Sequence, residues 1–149
     1  MNWIDNHNIY NVLRKGEDKM EKKNIKALHG IIAELENGKT ISEALSVYYT
    51  KRKVLMPIKE NVRERNLDAI EFSARMNNAL KRQHLFTFGD IYDYIENGNK
   101  LSDIKNVGLV SMKDFCEKML NYHFDLLSAD EKVNFLVTFV EENKESLRK

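Results

Sequence analysis

The sequence predicts an all-α protein, and three observations favour this fold class. Apolar residues recur at helical spacing through most of the chain, and helix-capping motifs separate the runs. Turn residues are scarce, because the 149 residues include one Pro and six Gly, which disfavours a turn-dense sandwich or barrel. Hydrophobic residues make up 42% of the chain and charged residues 32%, which suits a core covered by polar helical faces.

Residues 1–66 are predicted to form an N-terminal helical region. Apolar residues recur with a helical period over residues 20–35, and the Asn-Gly pair at 37–38 then ends the helix in the usual way. A capping box at residues 40–43 begins the next helix. Residues 1–16 are weakly patterned, and both a short docking helix and a frayed terminus are compatible with them.

Residues 67–149 are predicted to form a compact helical domain with an additional C-terminal helix, which a capping box at residues 128–131 begins. The other helical segments of this domain are predicted at residues 71–82, 89–95, 101–105 and 110–122. A tight turn containing Gly108 joins the last two, and we expect such a turn to require glycine. It lets backbone N–H groups at the start of the next helix approach an anion. A second Asn-Gly stop at 97–98 fits either two independent junctions or an internal duplication.

The charges are unevenly distributed along a polypeptide whose formal net charge is +1. Residues 51–82 carry nine Lys/Arg and four Asp/Glu, whereas residues 83–149 carry eight and twelve. The basic cluster at residues 51–53 either complements the dipole at the end of a helix or contacts phosphate. The pattern predicts a polarised surface with one basic region.

The sequence contains no constellation of catalytic residues. Its single cysteine, Cys116, excludes an internal disulfide and occupies an apolar position of a predicted helix, so we expect a buried structural thiol. The four histidines show no metal-binding spacing, and no nucleotide-binding glycine loop or serine-nucleophile motif is present. We therefore predict a non-enzymatic protein with no catalytic residue, no metal site and no cofactor.

The sequence shows no membrane-spanning or secretory segment. No apolar run approaches the roughly 18 residues that a membrane span needs. The first residues also lack a basic leader followed by an apolar stretch, so no signal peptide is evident. We expect a cytoplasmic protein that does not act at a membrane.

Three motifs follow one another in the second half of the chain, at residues 74–81 (ARMNNALK), 88–91 (FGDI) and 104–111 (IKNVGLVS). Together they resemble the C-terminal domain of the bacterial RNA polymerase alpha subunit, over about residues 68–123. The resemblance implies a compact helical domain with a helix-hairpin-helix element. Domains of this family bind upstream promoter DNA in the minor groove and contact transcription factors.

The resemblance implies five DNA-binding residues in this chain. The family's chief DNA-contacting arginine corresponds to Arg75, and its asparagine three residues later corresponds to Asn78. Lys81 corresponds to the family's next basic contact, while Gly108 and Ser111 correspond to the turn that presents N–H groups and a hydroxyl to phosphate. Arg75 and Asn78 are one helical turn apart and share a face. An arginine can enter a narrow minor groove while an amide bonds base edges.

Two positions depart from the family pattern. The family usually has lysine or arginine in the two positions after this glycine, where this chain has Leu109 and Val110. The loss of two cations beside the phosphate site predicts weak DNA affinity, because each phosphate contact contributes counterion release. We expect the apolar pair either to form part of a protein interface or to pack under the final helix.

These observations predict a small DNA-binding or transcription-associated protein that prefers A/T-rich DNA. The alternative is a protein-interaction module that uses the same fold to bind transcription machinery or to oligomerise, with little DNA affinity. The partners that this alternative implies are RNA polymerase, a transcription factor or a second copy of the protein in a homodimer. The residues before the module are too few for the polymerase-assembly domain of an alpha subunit, so we expect a stand-alone protein.

Overall fold

The structure, a computed structural model, describes residues 7–50 and 60–148. Their regular structure is helical, with isolated backbone bridges and no β-strand in these two ranges. The α-helices of the described residues are α1 (His7–Glu17), α2 (Lys22–Glu36), α3 (Ile41–Tyr48), α4 (Glu60–Arg63), α5 (Ala74–Arg82), α6 (Phe88–Glu96), α7 (Leu109–Asp125) and α8 (Ala129–Glu142). Single 3₁₀ turns lie at Leu67–Ala69, Leu101–Asp103 and Lys144–Ser146. The predicted all-α fold class is confirmed.

Capping boxes begin the helices at the two places where the sequence predicts them. In α3 the Thr40 hydroxyl accepts a hydrogen bond from the Glu43 N–H at 3.2 Å, and the Glu43 carboxylate accepts one from the Thr40 N–H at 3.4 Å. The box predicted at residues 128–131 begins α8. A third box, formed by Thr87 and Asp90, begins α6. It was not predicted, because Asp replaces the usual Glu or Gln at the third helical position.

Both predicted Asn-Gly stops end a helix in the same conformation. Gly38 and Gly98 each have a φ of +89°, in the left-handed region that glycine enters without steric cost. In each stop the N–H of the residue after the glycine donates to the carbonyl five residues earlier, at 3.2 Å. The shared turn chemistry accounts for the recurrence of the motif, whichever origin it has.

One compact unit combines the N-terminal helices with the end of the chain. It comprises residues 1–55 and 123–149, and its helices in the described ranges include α1, α2, α3 and α8. Helix α8 packs on α1 and α2. Three side chains of α8 are completely buried, namely Val133, Leu136 and Val140. The ring of Tyr49 meets that of Phe139 edge to face, with centroids 5.1 Å apart. Helix α8 is therefore part of the core of this unit.

The second compact unit comprises residues 56–122 and contains α4, α5, α6 and most of α7. Its core includes the buried apolar side chains of Met76, Ala79, Leu80, Phe88, Ile91, Ile104, Val107, Phe115 and Met119. The rings of Phe72 and Phe115 have centroids 5.1 Å apart. The ring of Phe88 stacks on that of Tyr122 at 5.5 Å. All the predicted DNA-binding residues lie in this unit.

The two units differ from the predicted domains, residues 1–66 and 67–149, in the placement of residues 56–66 and of the last helix. The sequence assigned α8 to the second domain, whereas α8 packs on α1 and α2. An apolar stripe at helical spacing shows that one face of a helix is buried, but not which element covers that face. The division at residue 66 stays a prediction about which parts of the chain fold independently.

Part of the sequence-based prediction lies outside the described residues. This part includes residues 1–6 and the basic cluster at residues 51–53. Residues 7–16 of the weakly patterned N-terminus do lie in the described range, within helix α1 (His7–Glu17).

The prediction of a buried thiol at Cys116 is wrong, because this residue is exposed. Its neighbours Phe115 and Met119, at 4% and 2% exposure, are among the residues of α7 that face the core. Successive residues of a helix are rotated by about 100°, so Cys116 points away from the buried face next to it. Apolar character alone did not distinguish the two directions.

Burial of Tyr49 provides a testable dependence of stability on pH. Its hydroxyl has no hydrogen-bond partner among the described residues, and burial raises the pKa of this phenol to about 12. In the unfolded protein a tyrosine ionises near pH 10, so the folded state should lose stability as pH rises from about 10 to about 12, by about 2–3 kcal/mol. Below pH 10 this contribution is fully retained.

Urea unfolding of the wild type and Tyr49→Phe between about pH 8 and pH 11.5 measures this dependence. The phenylalanine variant should be as stable as the wild type at about pH 8, because the hydroxyl that it removes has no described partner. It should show a flatter loss of stability above about pH 10. Identical pH profiles for the two proteins would contradict the assignment.

Candidate functional site

Helix α5 is amphipathic and presents a polar, cationic face. Its first turn is capped by Ser73, whose hydroxyl accepts a hydrogen bond from the Met76 N–H at 3.2 Å. Three apolar residues of the helix are buried, at positions 76, 79 and 80. The exposed side chains include those of Arg75, Asn78, Lys81 and Arg82. The helix therefore anchors its apolar side in the second unit and leaves its guanidinium and amide groups accessible.

The hairpin turn runs from the 3₁₀ turn Leu101–Asp103 to the start of α7. Ile104 and Val107 are buried and fix the turn to the core, at 6% and 9% exposure. The Val107 N–H donates to the Ile104 carbonyl at 3.1 Å. Asn106 between them is exposed and has a φ of +74°. The turn thus holds its apolar residues inward and presents the Asn106 amide to solvent.

The polar face of α5 and the hairpin turn together line one shallow open depression of about 410 Å³. Its lining residues are Arg75, Asn78, Arg82 and Asn106. The three residues of α5 are spaced three and four positions apart, which places them on one side of the helix. Arg82 reaches the turn directly, since its Nη2 donates a hydrogen bond to the Lys105 carbonyl at 2.9 Å. The structure therefore brings Arg75 and Asn78 together with the turn that the sequence singled out.

The electrostatics of the depression favour an anionic ligand. No carboxylate lines it, and within the described residues neither Arg75 nor Arg82 forms an ion pair. Other cations of the same unit are neutralised, as Arg63 is by Asp93 at 2.6 Å and Lys118 by Asp114 at 3.2 Å. Two guanidinium groups and two amides can donate hydrogen bonds to phosphate, sugar or base acceptors.

Three other predicted site residues do not line the depression. Lys81 is exposed but lies about 100° around α5 from Arg82, on its flank. Ser111 is only 8% exposed in the first turn of α7, and Gly108 is exposed just before that helix begins. The DNA-binding roles of these three residues stay predictions.

The expectation that the turn requires glycine at position 108 is wrong. The residue with the left-handed backbone is Asn106, and a Cβ atom built on Gly108 would meet no described atom within 4 Å. Asparagine is the residue other than glycine that adopts this conformation most readily. Asn106 and Arg82 are thus the lining residues that the sequence reasoning missed. The only signal in the sequence was the turn-forming character of asparagine.

A pair of alanine substitutions tests where glycine is required. Gly98→Ala forces an L side chain into a φ of +89° and should lower the free energy of unfolding by about 1–2 kcal/mol. Gly108→Ala should change it by less than about 0.5 kcal/mol, because this position is open and exposed. Chemical denaturation of both variants against the wild type measures the difference. A larger cost at position 108 than at position 98 would contradict the described turn.

The apolar pair Leu109 and Val110 lies at the start of α7, three and four residues after Asn106. Leu109 is 91% exposed and Val110 is 85% exposed. They therefore do not pack under the final helix, which was one of the two expectations for them. Two adjacent apolar side chains in solvent remain candidates for a contact with another molecule.

The site is a cationic helix face joined to a hairpin turn within an all-α unit, an arrangement typical of helical modules that bind anionic polymers. A comparison with known families shows which of these modules the chain resembles. Residues 57–121 match the family model for the C-terminal domain of the alpha subunit of bacterial RNA polymerase. The matched segment includes every residue of the depression, and it indicates a DNA-binding or transcription-associated role. Searches of curated proteins and of solved structures found no match.

The matched family is a non-catalytic domain of the polymerase. In the part of the protein that the structure describes, no group of His, Cys, Asp and Glu residues is placed to hold a metal ion. No helix of the described ranges is long and apolar enough to cross a membrane.

Proposed function

We propose that this protein is a small non-enzymatic DNA-binding protein that uses the face around the depression. The observation that carries this proposal is the convergence of Arg75, Asn78, Arg82 and Asn106 on one open surface, with no ion pair at either arginine among the described residues. The match of residues 57–121 to the polymerase alpha C-terminal domain supports the same ligand.

The arrangement fits a minor groove better than a major groove. Helix α5 presents separate guanidinium and amide groups beside a turn, and these groups can enter a groove while backbone phosphates flank it. A narrow A/T-rich minor groove has enhanced negative potential and attracts arginine. We therefore propose that Arg75 enters such a groove, and that Asn78 and Asn106 donate hydrogen bonds to base or sugar acceptors.

The remaining predicted residues would act at the edges of this face. Lys81 would contact a phosphate from the flank of α5, and the backbone N–H groups after Gly108 would meet a second phosphate at the start of α7. Ser111, which is 8% exposed, would contribute its hydroxyl there. Leu109 and Val110 supply no charge at this point, so the affinity should be weak and should depend on few phosphate contacts.

Fluorescence anisotropy with A/T-rich and G/C-rich duplexes, at about 50 mM and 200 mM salt, tests the proposal. We expect tighter binding to the A/T-rich duplex, with affinity falling as salt rises. Asn106→Gly should weaken binding severalfold without disturbing the turn, because glycine accepts the left-handed backbone and lacks the amide.

His84→Gly is the matched control for this variant. His84 is the other described non-glycine residue with a positive φ, at +57°, and it does not line the depression. It should bind like the wild type. Two results together would contradict a face that reads the groove. They are equal affinity of the wild type for the A/T-rich and G/C-rich duplexes, and wild-type affinity of Asn106→Gly.

A protein-interaction function is the second candidate, and the exposure of Leu109 and Val110 favours it. Under this proposal the pair would contact RNA polymerase, a transcription factor or a second copy of the protein. Val110→Glu should then abolish retention of purified polymerase or dissociate a homodimer in sedimentation. Val47→Glu, at a valine that is 43% exposed in the other unit, is the control. If Val110→Glu does not affect retention, Leu109 and Val110 are not the surface that contacts the partner.

A further inference from the structure

The hydrogen bond from Arg82 Nη2 to the Lys105 carbonyl is a direct polar link between α5 and the hairpin turn, 2.9 Å long. Its two ends are 23 residues apart in the sequence, and the carbonyl immediately precedes Asn106. The bond from Val107 to Ile104 lies within the turn and does not tie it to the helix. The link therefore acts at the outer edge of the turn, where Asn106 faces the depression.

The backbone conformation of Asn106 depends on contacts that hold the neighbouring peptide in place. A φ of +74° is a sparsely populated conformation for any residue other than glycine, and Asn106 is exposed to solvent. Ile104 and Val107 are buried and anchor the two sides of the turn in the core. The peptide between positions 105 and 106 lies between these anchors and is not held by them. A donor that holds the Lys105 carbonyl restricts the rotation of that peptide.

We infer that Arg82 is a positioning residue, which orients the Asn106 amide toward Arg75 and Asn78 so that helix and turn present one recognition surface. This inference rests on the proposed DNA-binding function of that surface. One donor of Arg82 is used by the Lys105 carbonyl, and its other N–H groups have no partner among the described residues and can face the depression. An arginine is suited to this double role because its donors are held in a rigid plane, which a lysine ammonium lacks.

The first arm of the test uses the full-length protein without DNA. We would prepare Arg82→Lys and Arg82→Met, with Lys81→Met as the control at the neighbouring exposed cation. Amide hydrogen exchange at Val107 and the carbonyl ¹³C shift of Lys105 report on the turn. Both Arg82 variants should increase Val107 exchange about five- to tenfold and move the Lys105 shift, the size expected for losing one solvent-exposed hydrogen bond. Lys81→Met should change neither reading.

The second arm measures affinity for an A/T-rich duplex as a function of salt. Arg82→Lys should bind about fivefold more weakly than the wild type with an unchanged salt slope, because it keeps the charge and loses the positioning. Asn106→Gly combined with Arg82→Lys should be no weaker than Asn106→Gly alone, since both changes remove the same oriented amide.

The outcomes separate the inference from the proposed function. Unchanged exchange and carbonyl shift in both Arg82 variants would overturn the positioning role, whatever happens with DNA. Wild-type affinity of Arg82→Lys would also overturn it and leave Arg82 as an ordinary phosphate-contacting cation. A wild-type protein that does not bind DNA would end the proposed function, and the exchange data would still decide whether Arg82 holds the turn.

Discussion

Arg75→Ala is expected to lower the affinity for an A/T-rich duplex by roughly ten- to a hundredfold, the equivalent of about 1–3 kcal/mol for one good groove contact. The physical reason is that Arg75 lines the depression and has no ion pair in the described residues, so its guanidinium is available to DNA. The substitution should leave the fold intact, because the side chain is exposed on α5.

Two further variants make this result specific. Arg75→Lys keeps the charge and should recover only part of the affinity, since a lysine cannot reproduce the planar donor group in a narrow groove. Arg14→Ala removes an exposed arginine from the last turn of α1, in the other unit, and should have little effect. If Arg75→Ala and Arg14→Ala bind equally well, Arg75 has no special role.

Leu136→Ala is expected to lower the free energy of unfolding by about 3 kcal/mol. Leu136 has no exposed surface in α8, and truncating a buried leucine removes packing and leaves a cavity. Denaturant unfolding monitored by circular dichroism measures the loss. A change below about 1 kcal/mol would mean that α8 is not part of a well-packed core.

Site-resolved hydrogen exchange of the same variant also tests the division of the protein into domains. Helix α8 packs on α1 and α2, so protection should fall first in those helices. If α8 instead belongs with residues 67–122, as the predicted domain 67–149 implies, protection would fall first in α5 and α6. The measurement therefore decides between the compact units and the sequence-based boundary.

The local structure of this protein was largely predictable, because short-range chemistry determines it. Thr40 with Glu43 and Ser128 with Glu131 begin helices as predicted, and the stop at Gly98 uses the expected left-handed glycine. These motifs join residues three to five positions apart, so a short stretch of sequence contains all the partners.

The candidate site was predictable only in part. The resemblance identified Arg75 and Asn78 because they occupy positions in a family motif. It did not identify Arg82 or Asn106, which line the same depression. Their role depends on how closely a turn approaches a helix more than 20 residues earlier in the sequence, and no local pattern encodes that distance. The prediction that Cys116 is buried was wrong for a related reason, since periodicity alone did not show which side of α7 faces the core.

The exposure of Cys116 has a practical consequence for every binding experiment described above. Cys116 is the one thiol in the sequence and lies on α7, the helix that follows the hairpin turn. A maleimide dye or a nitroxide can therefore be attached at a single known position without first removing other cysteines. Spectroscopy on the labelled wild-type protein would follow ligand binding from the protein side, independently of any label on the DNA.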